Sequence, residues 1–139
     1  LTLVCSPFYW EKRFQTPNID SLIKKLDGRL RVMIGISDEE LSNEYFRSDA
    51  YISLSDFEGF GRPLIEAQSC GLPVIANSSQ FTEIVLGTSF VDIKCYSSLY
   101  EVLENIRTNY GELQTKGLVN SSKYSKANFK KSVLSIFHE

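Results

Sequence analysis

Between Ser53 and Asn77 the chain reads as an apolar strand, a Gly-Phe-Gly turn, a helix closed by a glycine, and a second apolar strand. No other passage limits the fold so tightly. Val74-Ile75-Ala76 shows no polar alternation, the pattern of a central strand covered on both faces. Short apolar runs that alternate with helical patterns make a parallel sheet wrapped by helices. The alternation extends over the chain, with runs at Leu1–Cys5, Leu30–Ile34, Ala50–Leu54, Pro73–Ala76 and Ser89–Ile93. The expected class is α/β: a Rossmann-like parallel sheet flanked by helices, with a helical C-terminal tail.

Helix signals fill the gaps. Ile19, Leu22, Ile23 and Leu26 form one stripe, with Gly28 placed to end it. Ser37-Asp38-Glu39-Glu40 reads as a capping box, its Ser at N-cap and its Glu at N3, with Leu41, Tyr45 and Phe46 expected to face the sheet. Ser98-Leu99-Tyr100-Glu101 repeats the device. It opens a helix carrying Leu99, Val102, Leu103, Ile106 and Tyr110, expected to end at Gly111. From about Asn128, Phe129, Val133, Ile136 and Phe137 recur at helical spacing.

Composition removes several function classes. The 139 residues suffice for one domain, 1–139, and are too few for two of ordinary size. A net charge of −2 supplies no field to recruit nucleic acid, although residues 1–95 carry −4 and 96–139 carry +2. The only histidine is His138, which leaves little material for a His-based metal site or a nucleophile–histidine pair. Cys5, Cys70 and Cys95 are sparse and odd in number, as expected of reduced, buried thiols in the cytoplasm. The opening Leu-Thr-Leu-Val-Cys has neither an initiator Met nor a signal-peptide flank, so an N-terminally trimmed piece of a longer protein is expected.

Chemistry concentrates in Glu58-Gly59-Phe60-Gly61-Arg62-Pro63-Leu64-Ile65-Glu66-Ala67. Two glycines after a strand let the backbone turn sharply and approach a ligand. Pro63 suits the first position of a helix, where its missing N–H costs nothing. The amides near Leu64 and Ile65 are expected to be free and to point beyond the strand's carboxyl end, where open α/β sheets bind ligands and where a helix N-terminus favours an anion. Glu58 precedes the helix and Glu66 lies one turn inside it. A carboxylate can hold two vicinal hydroxyls, so the pair suggests an anion flanked by two polyols, as in sugar, diphosphate and ribose. Arg62 is read as a solvated helix-start charge or a phosphate partner, and Glu83 as ordering the Ser78–Thr82 loop or touching ligand. A dinucleotide fingerprint fails because Leu64 stands where its third glycine belongs. Asn77-Ser-Ser and Asn120-Ser-Ser are read as chance glycosylation matches.

The run from Ile36 to Ile93 resembles the C-terminal domain of the large retaining group 1 family of GT-B glycosyltransferases. The matching residues are Ser37-Asp38-Glu39-Glu40-Leu41, Ser48-Asp49-Ala50, Glu58-Gly59-Phe60-Gly61, Leu64-Ile65-Glu66-Ala67, Cys70-Gly71-Leu72-Pro73-Val74-Ile75-Ala76 and Glu83-Ile84-Val85. Tyr124-Ser125 also resembles the lead into the family's closing helices. The resemblance implies a donor-binding domain for a nucleotide-diphosphate sugar, within a hexosyltransferase-like enzyme of polysaccharide biosynthesis. It implies that Glu58 meets the donor sugar and counts as catalytic, that the Gly59, Phe60 and Gly61 backbone lies against that sugar, and that Leu64 and Ile65 amides bind the diphosphate. Glu66 would bind the ribose, and the base would lie near Met33–Ile36. No metal or other cofactor is implied. The acceptor, a glycan or lipid-linked sugar, would need an N-terminal domain that this chain lacks.

Family members normally carry a Gly-Arg…Lys pair in a first strand–helix unit. By spacing, Leu1–Cys5 resembles their second strand, so that unit is expected to be absent, and Lys12 and Arg13 fit its place poorly. Alone, residues 1–139 are expected to bind donor weakly and transfer nothing. The alternative is a non-catalytic nucleotide-sugar-binding or regulatory subunit of a glycosyltransferase pair. Lys123, Lys126 and Lys130 share one face if helical, which raises a peripheral contact with anionic lipid at the inner face of the membrane.

Overall fold

The computed structural model describes residues 1–5, 21, 24–55 and 60–128. Every side chain of β4 (Val74–Ala76) is buried, and the strand lies between β3 (Tyr51–Ser53) and β5 (Val91–Asp92), as its unbroken apolar run requires. Both pairings are parallel, with Tyr51 opposite Val74, Ile52 opposite Ile75 and Ile75 opposite Val91. A second parallel ladder joins β1 (Thr2–Cys5) to β2 (Arg31–Ile34), in register from Thr2 and Arg31 to Cys5 and Ile34. The strands fall within a residue or two of the apolar runs, and the fold is α/β with parallel sheets flanked by helices.

The chain divides into two compact units, Leu1–Glu44 and Tyr45–Glu139. In the first, a helical turn over 24–26 ends before Gly28, while Ile19, Leu22 and Ile23 of the expected stripe lie outside the described residues. Helix α1 (Asp38–Phe46) starts on the capping box: Ser37 Oγ accepts from Glu40 N at 3.2 Å, and Ser37 N donates to the Glu40 carboxylate at 2.8 Å. Those bonds from the Ser37 backbone and hydroxyl hold the Glu40 carboxyl below its usual range. Near the end of α1 the buried Glu44 carboxylate pairs with Arg31 of β2, as a charge withdrawn from water must.

In the second unit, α2 (Arg62–Ser69) links β3 to β4, α3 (Gln80–Leu86) links β4 to β5, and a 3-10 turn (Ile93–Cys95) leads to α4 (Leu99–Ser122). Ile75, Val91, Val102 and Ile106 form the core between sheet and α4. Full burial of such side chains stabilises by about 1.5–3 kcal/mol each. On α1, Tyr45 is buried as expected, but Phe46 is not: at 69% exposed it falls on the outer side of the last turn.

Helix α4 departs from expectation at both ends. Ser98 Oγ caps Glu101 N at 3.3 Å, but the Glu101 carboxylate reaches Ser97 N, so the return bond lands one residue early. Gly111 does not end the helix. Only Asn109 leaves helical geometry (φ −111°, ψ 20°), and the helix resumes to Ser122. A helical glycine costs about 1 kcal/mol, which the packing of α4 against α2 outweighs. Gly117 brings α4 onto Gln68, where a Cβ would sit 3.3 Å from the Gln68 Cγ. There Asn120 Nδ2 donates to Gln68 Oε1 at 2.9 Å and to Val85 O at 3.0 Å. Gln68 Nε2 in turn donates to Ser89 O and Ser89 Oγ, both at 2.8 Å. Buried and doubly bonded, Asn120 makes no glycan acceptor.

Two further expectations change. Cys95 is exposed and Cys70 half-buried, so these thiols, though unpaired, are not core residues. A turn at 123–125 separates Lys123 from the helical residues 126–128, and Lys123 Nζ donates to Asn120 Oδ1 at 3.2 Å. Lys123 and Lys126 therefore share no continuous helical face, while Lys130, Phe129, Val133, Ile136 and Phe137 lie outside the described residues. Among the described residues, no helix is long and apolar enough to cross a membrane.

Candidate functional site

The carboxyl ends of β3, β4 and β5 are tied by polar side chains from the loops that leave them. Asn77 Nδ2 donates to Leu54 O at 3.0 Å, and Asp92 Oδ1 accepts from Ser78 N and Lys94 N, both at 3.0 Å. Burial opposes ionisation of Asp92, but the Lys94 and Ser78 amides, the Cys95 thiol and the Lys94 ammonium prevail and hold its carboxyl below 3.8. Glu83 accepts from Ser78 Oγ at 2.6 Å, a contact that fits the loop-ordering one of its two readings. Ser79 caps α3 through a reciprocal pair with Thr82.

At this edge α2 begins on Gly61, whose left-handed conformation (φ 61°, ψ 39°) supplies no side-chain cap. A Cβ on Gly61 would meet Leu64 Cδ1 and Phe81 Cζ, each at 2.9 Å, so both its dihedral and its surroundings require glycine. Pro63 is the second helical residue rather than the first. The Leu64 and Ile65 amides are not free as expected: both turn to Gly61 O, at 2.9 and 3.4 Å. Glycine at N-cap lets its carbonyl tuck under the first turn, closing it tightly. The Leu64 side chain is buried in the core, and Ile65 is half-buried.

Glu66 lies one turn in, as its spacing requires. Its Oε1 accepts from Arg62 Nη2 at 3.2 Å, and its Oε2 from the Tyr45 hydroxyl at 3.4 Å. Burial, then the neighbouring Tyr51 and Glu66, push the Tyr45 phenol far above its ordinary value, so it serves only as a neutral donor. The Tyr51 ring packs on Tyr45 at 6.0 Å, fixing the donor's place. Arg62 remains 80% exposed. The result is a carboxylate gripped on both oxygens yet open to solvent, next to an exposed guanidinium at a helix start.

Phe60 projects at this same end, 53% exposed, with its ring edge-on to Tyr124 at 5.8 Å. Glu58 and Gly59 lie outside the described residues, as do Lys12 and Arg13. Met33–Ile36 closes β2 in the first unit. The structure thus brings together Phe60, Gly61, Arg62 and Glu66 and adds Tyr45, Phe81 and Tyr124. None of these contacts was anticipated, although the i, i+4 spacing of Arg62 and Glu66 could have signalled theirs. Among the described residues, no three His, Cys, Asp or Glu side chains converge as a metal ion would require.

Residues 16–89, more than half of the chain, match the family described as glycosyl transferases group 1. The chain belongs to that family. Among relatives of this group 1 domain, O-antigen chain mannosyltransferase B of Escherichia coli is 29% identical over 106 residues, 71% of this chain and 27% of that protein. Putative glycosyltransferase 48 of the Sulfolobus islandicus filamentous virus is 33% identical over 119 residues, 70% of this chain and 37% of that protein. The serotype-specific mannosyltransferase WbdA of Escherichia coli is 48% identical over 64 residues, 42% of this chain and 8% of that protein. Among solved structures, the pneumococcal O-GlcNAc transferase GtfA, determined with UDP and GlcNAc, aligns with a TM-score of 0.55 and 19% identity. The alignment covers 99% of this chain and 36% of that one, and supports the GT-B assignment of the fold. The group 1 chain therefore spans well under half the length of the proteins it matches.

Proposed function

We propose that this chain is the donor-binding portion of a glycosyltransferase that uses a nucleoside-diphosphate sugar and retains the anomeric configuration on transfer to a glycan or lipid-linked acceptor. The observation that carries the reading is the arrangement at the start of α2. A helix without a side-chain cap opens at the carboxyl edge of a parallel sheet, with the half-buried Glu66 carboxylate one turn in. Such an edge suits an anion beside the helix start and a polyol beside the carboxylate. Membership of group 1 supports the donor class, and the mannosyltransferase names of relatives support a sugar transferred to a polysaccharide. The UDP bound by the structural neighbour supports a nucleotide carrier.

In this reading Glu66 binds the ribose, Arg62 turns from Glu66 toward the diphosphate, and the Leu64 and Ile65 amides complete the anion site. The 3.4 Å bond from Ile65 N is the easier of the two to exchange. Glu58, Gly59, Phe60 and Gly61 meet the sugar. The reaction belongs in the cytoplasm, where the unpaired Cys70 and Cys95 would stay reduced.

The test is calorimetry of the full-length protein with UDP, GDP and ADP, followed by sugar transfer. Hydrogen bonds to a charged acceptor are worth about 1.5–3 kcal/mol each, so Glu66→Ala should weaken nucleoside diphosphate binding about ten- to a hundredfold. Unchanged affinity removes Glu66 from the site. Glu58→Ala should reduce turnover more than nucleoside diphosphate affinity, since the nucleotide lacks the sugar, and equal losses contradict that role.

A further inference from the structure

We propose that Tyr124 is a positioning residue for the Phe60–Gly61 turn, so that the segment following α4 sets the geometry at the start of α2. Tyr124 lies far from Phe60 in sequence, in the turn that ends α4. Its ring meets Phe60 edge to face, with centroids 5.8 Å apart and planes at 79°, the arrangement that aromatic quadrupoles favour. Its hydroxyl donates to Val85 O at 2.9 Å, the same carbonyl that accepts from Asn120. The ring is thus fixed at one end to α3 and presents the other end to Phe60.

The other side of the turn is held just as closely. Phe81, also on α3, lies where a Cβ on Gly61 would fall, 2.9 Å away. Gly61 O in turn accepts from both Leu64 N and Ile65 N. Holding the Phe60 ring therefore restrains the adjoining backbone, on which Gly61 O closes the first turn of α2. Phe60 stays 53% exposed, so burial alone does not hold its ring. Its ring finds in Tyr124 a partner with no other aromatic contact among the described residues.

The inference rests on the donor-site reading for its functional consequence, but the positioning itself can be measured without a ligand. In the full-length protein, amide hydrogen exchange over Phe60–Ile65 should accelerate about three- to tenfold in Tyr124→Leu, the range set by an aromatic pair. Phe60→Leu should match it, and the double variant should exceed neither single. With whichever of UDP, GDP and ADP binds most tightly, the same variants should raise Kd by a similar factor, again without additivity. Tyr124→Phe keeps the ring but loses the tie to Val85 and should fall between. Should Tyr124→Leu fail to fold, Tyr124→Phe and Phe60→Leu carry the comparison. Exchange unchanged in folded Tyr124→Leu, or fully additive losses in the double variant, would overturn the inference. Accelerated exchange without any nucleotide binding by the wild type would uphold the positioning and overturn only the donor-site reading.

Discussion

The two ends of α2 are built on opposite rules. At its C-terminal end Gln68 is fully buried, every polar atom of its amide is engaged, and the chain leaves through Gly71 (φ 79°) in a closed cap, with Leu72 N bonded to Ala67 O and Gly71 N to Gln68 O. Its N-terminal end has no side-chain cap, an exposed arginine, and a carboxylate whose two contacts are long. A short helix can leave one terminus available to a ligand when the other is anchored in the core. Eight residues could not hold themselves in place by propensity alone.

The largest expected effect breaks the anchored end. Gln68→Leu leaves Ser89 O without its donor and Asn120 with one acceptor fewer. An unmet buried polar group costs about 1–3 kcal/mol, so stability should fall by about 3 kcal/mol in urea unfolding. Nucleoside diphosphate affinity of the folded molecules should stay the same. Loss of binding with stability intact would reverse the assignment of the two ends.

A smaller effect sharpens the open end. Tyr45→Phe removes only the hydroxyl that meets Glu66 at 3.4 Å. So long a bond belongs at the low end of the range, about 0.5–1 kcal/mol, or a two- to fivefold loss of nucleoside diphosphate affinity by calorimetry. The unfolding midpoint should not move. A fall in stability with binding preserved would make Tyr45 part of the core rather than of the site.

The smallest effect lies beyond both ends, at the loops that frame the edge. Asp92 has a depressed folded pKa, so its contribution to stability is complete above its unfolded value of 3.8 and is lost as pH falls through the lower folded value. Asp92→Asn should therefore be less stable than wild type at neutral pH, by less than about 0.5 kcal/mol because solvent screens so exposed a charge. The gap should close in acid below 3.8. A gap that persists there would assign the loss to packing rather than to charge.

Local signals were legible where a few neighbouring residues decide the outcome. Ser37 with Glu40 caps α1, Gly71 closes α2, and Val74-Ile75-Ala76 is the middle strand, because capping, left-handed backbone and two-sided burial are each written in adjacent residues. Readings failed where distant chain decides. Gly111 looked like a stop because its own neighbourhood is weakly helical, yet packing against Gln68 carries the helix onward. Phe46 sits beside the correct inward residue, Tyr45, and periodicity alone could not choose between adjacent positions in a last turn. The amides of Leu64 and Ile65 were expected to be free because helix starts generally are, whereas Gly61 folds its carbonyl beneath them. Tyr45 against Glu66, and Tyr124 against Phe60, join segments that only the folded chain makes neighbours.

The last turns of α4 and the turn that follows it act as a ruler. Gly117, Asn120 and Tyr124 recur at the interval that returns a helix to one side, and they meet Gln68 and the Val85 carbonyl in succession. One residue inserted among them would turn everything downstream by about 100° and advance it by about 1.5 Å, carrying Tyr124 off its mark. Replacing the outward Leu118, Val119 or Ser122 changes no spacing. Upstream the break at Asn109 already interrupts the helical count, and an insertion there has slack to take up. Besides the identities of Gly117, Asn120 and Tyr124, the contacts require the spacing between them.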